Sequence, residues 1–308
     1  MRLITLVATP CLVAALCLLS ACNTSSSSPS AAEAPVLDAK ILNAKSPSST
    51  LDNILAAVPE EHKARHGYRN PKETLEFFGI KPGMVVVEYL PGGGWYSQIL
   101  APLLGPDGTL IGADYSMALW PNFPWMNDTF MAGRIAWPTK WTDDFAKWGG
   151  DNAATPYATT IPDIDSQYEN SADAALFIRA VHNLARFESK GQFLTEALEK
   201  TYSVLKPGGI VGIVQHQASE DKSDDWADGS AGYLKKSFVI ETFEAAGFEF
   251  VSESNINENK LDQPGDSDIV WRLPPSYSTS KDDAEKKAEF SKIGESNRMT
   301  LLFKKPSA

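Results

Sequence analysis

The sequence predicts an open, doubly wound α/β fold built on a mostly parallel sheet. Three observations predict it. Residues 85–94 form an apolar, β-branched run that ends in Pro91-Gly92-Gly93-Gly94 and leads at once into a helical pattern. Residues 109–114 form a second short apolar run, which ends in the carboxylate of Asp114. Residues 173–180 form a third, followed by a helical stretch and by Leu205-Lys206-Pro207-Gly208-Gly209 ahead of another strand. Strands alternating with helices require crossover connections, and those give parallel pairing.

Composition narrows the function classes. With 308 residues, 43% of them hydrophobic, the chain can bury a sizeable core. A formal net charge of -11 argues against a nucleic-acid phosphate backbone as the main partner. The three cysteines, Cys11, Cys17 and Cys22, all lie near the N-terminus, so thiol chemistry and disulfides are not expected in the folded body. His62, His66, His182 and His216 show no metal-ligand spacing, and no metal site is expected.

Taken in order, the chain opens with Arg2, an apolar stretch over 3–19, and Leu19-Ser20-Ala21-Cys22. A charged start, an apolar segment and small residues before a cleavage point describe a secretory signal over 1–21. The tetrapeptide resembles a bacterial lipobox, which implies lipidation of Cys22 and a membrane attachment with no spanning helix; the alternative is a single membrane-spanning anchor, for which the apolar run is slightly short. The Ser/Ala-rich stretch that follows reads as a flexible tether over 22–50, and 51–308 as the folded domain. The implied location is the bacterial cell envelope, facing the periplasm.

Residues 51–58 give a short helical pattern. Residues 60–70, rich in charge, read either as a solvated segment or as a lid across a site. Asn70-Pro71 opens a helix with Leu75, Phe77 and Phe78 on its apolar face, and Gly79 ends it. The first strand then meets its glycine turn. Bare backbone N–H groups ahead of a helix let a ligand approach closely, and Glu88 at the strand end can accept hydrogen bonds from it. A plain strand-to-helix turn is the alternative. A dinucleotide fingerprint fails, because its third glycine falls on Ser97. Glu88 and Asp114 end parallel strands on the same rim, where open α/β sheets bind ligands. Residues 115–150 carry Trp120, Phe123, Trp125, Phe130, Trp137, Trp141, Phe145 and Trp148, either as core packing or as the wall of a pocket. A weak third strand falls near 157–161. After the fourth strand comes Val181-His182-Asn183-Leu184, then a helix over 187–205 and a fifth strand over 210–214. An acidic loop over 223–232 precedes a helix over 238–246 and a strand from 247. Residues 255–267 and 274–288 read as loops, and 298–304 as a terminal strand.

The glycine turn, Asp114, the strand leading to Val181-His182-Asn183-Leu184, and Leu205-Lys206-Pro207-Gly208-Gly209 occur in the order that resembles a class I S-adenosylmethionine-dependent methyltransferase. The phrase Phe78-Gly79-Ile80-Lys81-Pro82-Gly83-Met84 with Pro91-Gly92-Gly93-Gly94-Trp95-Tyr96 is similar to a bacterial group of methyltransferase-like proteins with no assigned substrate. The resemblance spans roughly 71–306 and implies a Rossmann-like sheet whose last strand is antiparallel beside the fifth. It implies S-adenosylmethionine as cofactor, with Glu88 near the methionine amino group, Gly92, Gly93 and Gly94 beneath the cofactor, and Asp114 on the ribose hydroxyls. Asp163 is the candidate for an adenine contact. Leu90 stands where the family has its first glycine.

The function this implies is methyl transfer to a small molecule or envelope component. His182 and His216, at the ends of the fourth and fifth strands, are the candidate general bases, since neutral imidazole accepts a proton near physiological pH. Arg179 and Tyr115 are candidates for orienting the acceptor. The rival is a non-catalytic ligand-binding envelope lipoprotein that keeps the methyltransferase fold. Its support is the exported location, away from the cytoplasmic source of the cofactor, and the lost first glycine.

Overall fold

The first strand, β1 (Val85–Tyr89), is apolar but for Glu88 because both of its faces are covered. Side chains alternate across a strand. Val87 and Tyr89 therefore join one core and Val86 the other. Each such apolar side chain, once buried, contributes about 1.5–3 kcal/mol. The computed structural model describes residues 47–307. Cys22, the apolar leader and most of the expected tether lie outside the described residues. The compact unit that holds β1 runs from Lys45 to Ala308.

In chain order the unit begins with α1 (Pro47–Ala57), α2 (Glu60–Lys63), α3 (His66–Arg69) and α4 (Pro71–Phe77). After β1 come α5 (Ser97–Leu104), β2 (Thr109–Asp114), α6 (Asp128–Gly149), β3 (Thr155–Thr160) and β4 (Ala172–Ile178). Then follow α7 (Val181–Arg186), α8 (Glu188–Gly191), α9 (Phe193–Val204), β5 (Leu205–Ala218) and β6 (Leu234–Lys235). The chain closes with α10 (Lys236–Ala245), β7 (Glu249–Ser254), α11 (Ala284–Ile293) and β8 (Arg298–Lys304).

The sheet order is β3-β2-β1-β4-β5-β8-β7, with the short β6 pairing β5 off this path. The first five are parallel to one another, and β8 runs antiparallel between β5 and β7. This is the mostly parallel, Rossmann-like sheet of the class I methyltransferase type, with its antiparallel last strand. Helices cover both faces. Leu184 of α7, Phe193 and Leu198 of α9 and Phe243 of α10 pack on one. Leu75 of α4, Ile99 and Leu100 of α5 and Trp141 and Phe145 of α6 pack on the other. No helix among the described residues is long and apolar enough to cross a membrane.

Several boundaries differ from the sequence reading. The first helix opens at Pro47, inside the stretch expected as tether. The helix expected over 187–205 is broken, because Gln192 takes a left-handed conformation at φ 53 between α8 and α9. Leu205-Lys206-Pro207-Gly208-Gly209 is not only a turn but the bulged start of β5, where Ala172 pairs Leu205 and Ala174 pairs Ile210. Residues 284–293, read partly as loop, form α11. That helix is mostly exposed, so it shows little apolar periodicity, and Asp283 caps it by accepting from Lys286 N.

Candidate active site

A cavity of about 870 Å3 opens at the carboxyl ends of the parallel strands. Leu90 and Gly92 follow β1, Tyr115 follows β2, Arg179 and His182 follow β4, and His216 lies near the end of β5. The sheet order reverses between β1 and β4, so the cavity lies at the topological switch point, where such sheets bind ligands.

The floor is the glycine turn. Gly92 and Gly93 line the cavity. A Cβ built on Gly93 meets nothing within 4 Å, so this backbone is bare on the cavity side. Gly94 has a different task. Its φ is +79 and a Cβ there would fall 2.1 Å from a ring carbon of Trp148. The third glycine thus lets α6 lie against the turn, and it does not line the cavity. Trp137 reinforces the contact by donating from Nε1 to the Gly92 carbonyl at 3.0 Å. Leu90, in place of the family's first glycine, holds φ 51, a left-handed conformation that costs a branched residue strain. The backbone has kept the glycine's geometry without the glycine.

The two acidic candidates are more deeply engaged than the resemblance implies. Glu88 is 3% exposed, lies beneath the turn rather than in the cavity wall, and accepts from Ser97 Oγ at 2.7 Å. Trp141 Nε1 in turn donates to Ser97 Oγ at 3.2 Å. Burial pushes the Glu88 carboxyl up to about 7, partly offset by Ser97. Asp114 is also 3% exposed. It accepts from Tyr115 N at 2.9 Å and pairs with Arg134 Nη1 at 3.2 Å. Burial raises it to about 6 against the pull of Arg134. Asp163 caps its own turn by accepting from Thr160 Oγ1 and does not line the cavity.

Both histidines reach the cavity wall, with ring centroids 5.5 Å apart. Gln215 Nε2 donates to the Gly232 carbonyl at 3.0 Å, which turns its Oε1 toward His182 Nδ1 at 3.3 Å. Nδ1 therefore carries the proton and Nε2 keeps its lone pair. Burial lowers His182 to about 4. His216 Nδ1 lies 2.6 Å from Ser296 Oγ, and burial, then His182 and Arg298, push it well below the usual imidazole range. Both rings are neutral at physiological pH.

Three further features complete the cavity; the sequence offered the first two as open alternatives and did not point to the third. The charged segment at 60–70 covers one side of the cavity, as the lid alternative expects: His62, Arg65 and Arg69 line it, while Glu60, Glu61 and Tyr68 stay exposed. The aromatic region divides. Trp120, Phe123, Trp125 and Phe130 face the cavity, while Trp137, Trp141 and Phe145 fill the core on the α5 side. A roof comes from the stretch between β7 and α11, through Ile269, Trp271, Ser276 and Ser278. It is held by Arg272, which bonds Asp262 at 2.7 Å and Tyr233 Oη at 2.8 Å in a buried triad. The loop at 223–232 packs there as well, with Ala227 and Ala231 buried.

Several solved structures are similar to the chain at low sequence identity. The chain is similar to a SAM-dependent methyltransferase from Aquifex aeolicus, at 17% identity over 67% of this chain and 93% of the other, with a TM-score of 0.46. It is similar to an arsenic(III) S-adenosylmethionine methyltransferase from Chlamydomonas reinhardtii, at 16% identity over 83% and 73%, TM-score 0.43. It is also similar to 1,6-didemethyltoxoflavin-N1-methyltransferase from Burkholderia thailandensis, solved with 1,6-didemethyltoxoflavin and S-adenosylhomocysteine, at 13% identity over 89% and 93%, TM-score 0.42. No family model and no curated protein sequence matches the chain. At these levels the likeness says nothing of activity, and the fold assignment rests on the strand order.

Proposed function

We propose that the chain is an S-adenosylmethionine-dependent methyltransferase whose cofactor lies over the glycine turn and whose acceptor occupies the same cavity. The observation that carries this is the bare backbone of Gly92 and Gly93 in the cavity floor at the switch point, with His182 in the same wall. The turn fits the cofactor, since a side chain on Gly93 would fill its place. Asp114 fits less simply: ribose hydroxyls must share or displace the Arg134 contact. Glu88 supports the turn from below through Ser97 and Trp141, so its part is positional.

When bound, S-adenosylmethionine supplies an electrophilic methyl group on a sulfonium. The chain's own residues do the rest. The cavity walls hold the acceptor in line and exclude water. His182 Nε2 takes the acceptor's proton while Gln215 fixes the ring. An imidazole held near 4 is a weak base at neutral pH, which suits an acceptor whose proton is already acidic.

Calorimetry with S-adenosylmethionine and S-adenosylhomocysteine tests the reading. Wild-type protein binds both. Gly93→Val fills the floor without backbone strain and weakens both at least about tenfold, while the melting temperature holds. Asp114→Ala removes a charged acceptor, worth about 1.5–3 kcal/mol. His182→Ala leaves cofactor affinity nearly unchanged. Wild-type protein that binds neither compound refutes the proposal. The rival, a binding lipoprotein with this fold, then gains, and the Asp114–Arg134 pair is the observation that favours it. We also propose export and lipid attachment at Cys22, on the sequence alone. Cys22→Ser should leave an unprocessed precursor, and an unchanged mature mass would exclude lipidation there.

A further inference from the structure

The protein as a whole is acidic, yet no Asp or Glu lines this cavity among the described residues, whereas Arg65, Arg69, Arg134, Arg179 and Arg186 all do. Two carboxylates stand behind them. Asp114 pairs with Arg134. Glu295, 5% exposed, is shared by Arg65, Arg69 and Arg298. Among the described residues no carboxylate pairs with Arg179 or Arg186, and Arg179 Nε is buried without a hydrogen-bond partner. Trp95 Nε1 and Trp120 Nε1, also in the wall, are buried donors with no partner. Unmet buried donors cost stability unless something accepts from them. An electropositive cleft with low-dielectric walls concentrates anions.

The rest of the wall is aromatic. Arg134 lies over Trp120 at 5.2 Å and over Phe130 at 5.3 Å, and Arg186 lies over Phe123 at 5.8 Å. Guanidinium planes and rings interleave, so a flat apolar body and a negative group find their partners side by side. The carboxylate of a bound cofactor would take up one guanidinium and leave the others.

We propose that the methyl acceptor is an aromatic organic anion, a ring system bearing a carboxylate or similar acid, held by Arg179 and Arg65 with its ring against the Trp120–Phe123 wall. This rests on the methyl-transfer reading for the role of acceptor, but not for the binding itself. Burial first, then the neighbouring Arg298, lowers Arg179 to about 10, so it stays cationic at neutral pH. With a phenolic or acidic N–H acceptor, the methyl forms a bond to oxygen or nitrogen as its bond to sulfur breaks. The displaced proton passes to His182 Nε2 and the sulfur keeps the electron pair.

The probes are 3-hydroxy-2-naphthoate and its neutral carboxamide, which share ring and hydroxyl and differ in charge, titrated by calorimetry into the full chain. The naphthoate should bind at least about tenfold more tightly than the amide. Arg179→Gln and Arg65→Gln should each weaken the naphthoate about tenfold and leave the amide within about twofold. Position 179 holds φ 60, which strains Arg and Gln alike, so the first change adds no backbone penalty to the loss of charge. Arg65 is 21% exposed, so the second is tolerated by the fold even if the first is not. Equal affinity of the two probes, or no loss in Arg65→Gln, overturns the proposal. S-adenosylhomocysteine titrated alongside separates the two readings. Naphthoate selectivity without its binding keeps the anion site and removes methyl transfer. Its binding without naphthoate selectivity removes only the acceptor class.

Discussion

Glu295→Gln is the most informative single change for stability. Glu295 precedes β8, is 5% exposed, and among the described residues is the one carboxylate shared by three guanidinium groups. Arg65 Nε bonds it at 2.7 Å, and Arg69 Nε and Arg298 Nη2 lie at 3.2 Å. Burial draws its proton affinity up, but Arg69, Arg298 and Arg65 together outweigh burial and hold it below the usual carboxylate range. Removing the charge leaves two nearly buried cations facing each other, and the new amide turns two donors toward donors. Breaking a buried pair from one side costs about 3–5 kcal/mol. Arg65 can rehydrate, which sets the expectation near the lower end, about 3 kcal/mol. For a domain of this size each kcal/mol moves the melting temperature by about 2–4 °C, so a fall of roughly 6–12 °C is expected by circular dichroism. Arg65→Gln should cost far less, since it relieves a surplus of positive charge. The double variant should therefore be more stable than the sum of the single losses. A Glu295→Gln protein that melts within about 2 °C of wild type refutes the account of a shared counter-charge.

Two further outcomes follow from the turn. Glu88 has its folded proton affinity raised from 4.5 to about 7, so the folded state binds more protons in that window and stability falls as pH rises through it. Glu88→Gln should thus match wild type near pH 4 and exceed it at pH 8, by at most about 3 kcal/mol; a gap that is flat with pH in urea unfolding contradicts this. Gly94→Ala places a Cβ against Trp148 at φ +79 and should cost about 1–3 kcal/mol, and an unchanged denaturation midpoint would show the contact to be slack.

The centre of the sheet was legible because its strands are buried on both faces, whereas β3 at the edge, with no fully buried residue, read only as a weak strand. Val85-Val86-Val87 and Ala174-Ala175-Leu176-Phe177 announce themselves without alternation. The rim positions of Gly92, Gly93, His182 and His216 followed from strand order alone. The arginine wall was legible only in pieces: Arg179 stood out beside the fourth strand and 60–70 as a possible lid, but their meeting did not. Arg65 and Arg69 precede the sheet by a helix, and Arg179 ends a strand; only the fold brings them to one space. The engagement of Asp114 was hidden for the same reason, since Arg134 sits on a helix whose sequence reads as general aromatic packing. A hint existed in the spacing of Phe130 and Arg134, one turn apart, which pairs a cation with a ring.

The contact between Arg134 and Asp114 has a consequence for how two ligands sense each other. One carboxylate oxygen serves Arg134 at the edge of the cavity. On the proposed reading, a ribose that displaces Arg134 from this oxygen would release the guanidinium, which already lies over Trp120 where the aromatic acid would rest. The first ligand would thereby hand a cation to the second. Such coupling is reciprocal by thermodynamic necessity, so the aromatic acid must tighten the nucleoside by the same factor. Titrating each in the saturating presence of the other reads that factor directly, and Arg134→Gln should reduce it to one. Order of binding would then be written into a single ion pair, with no moving domain required.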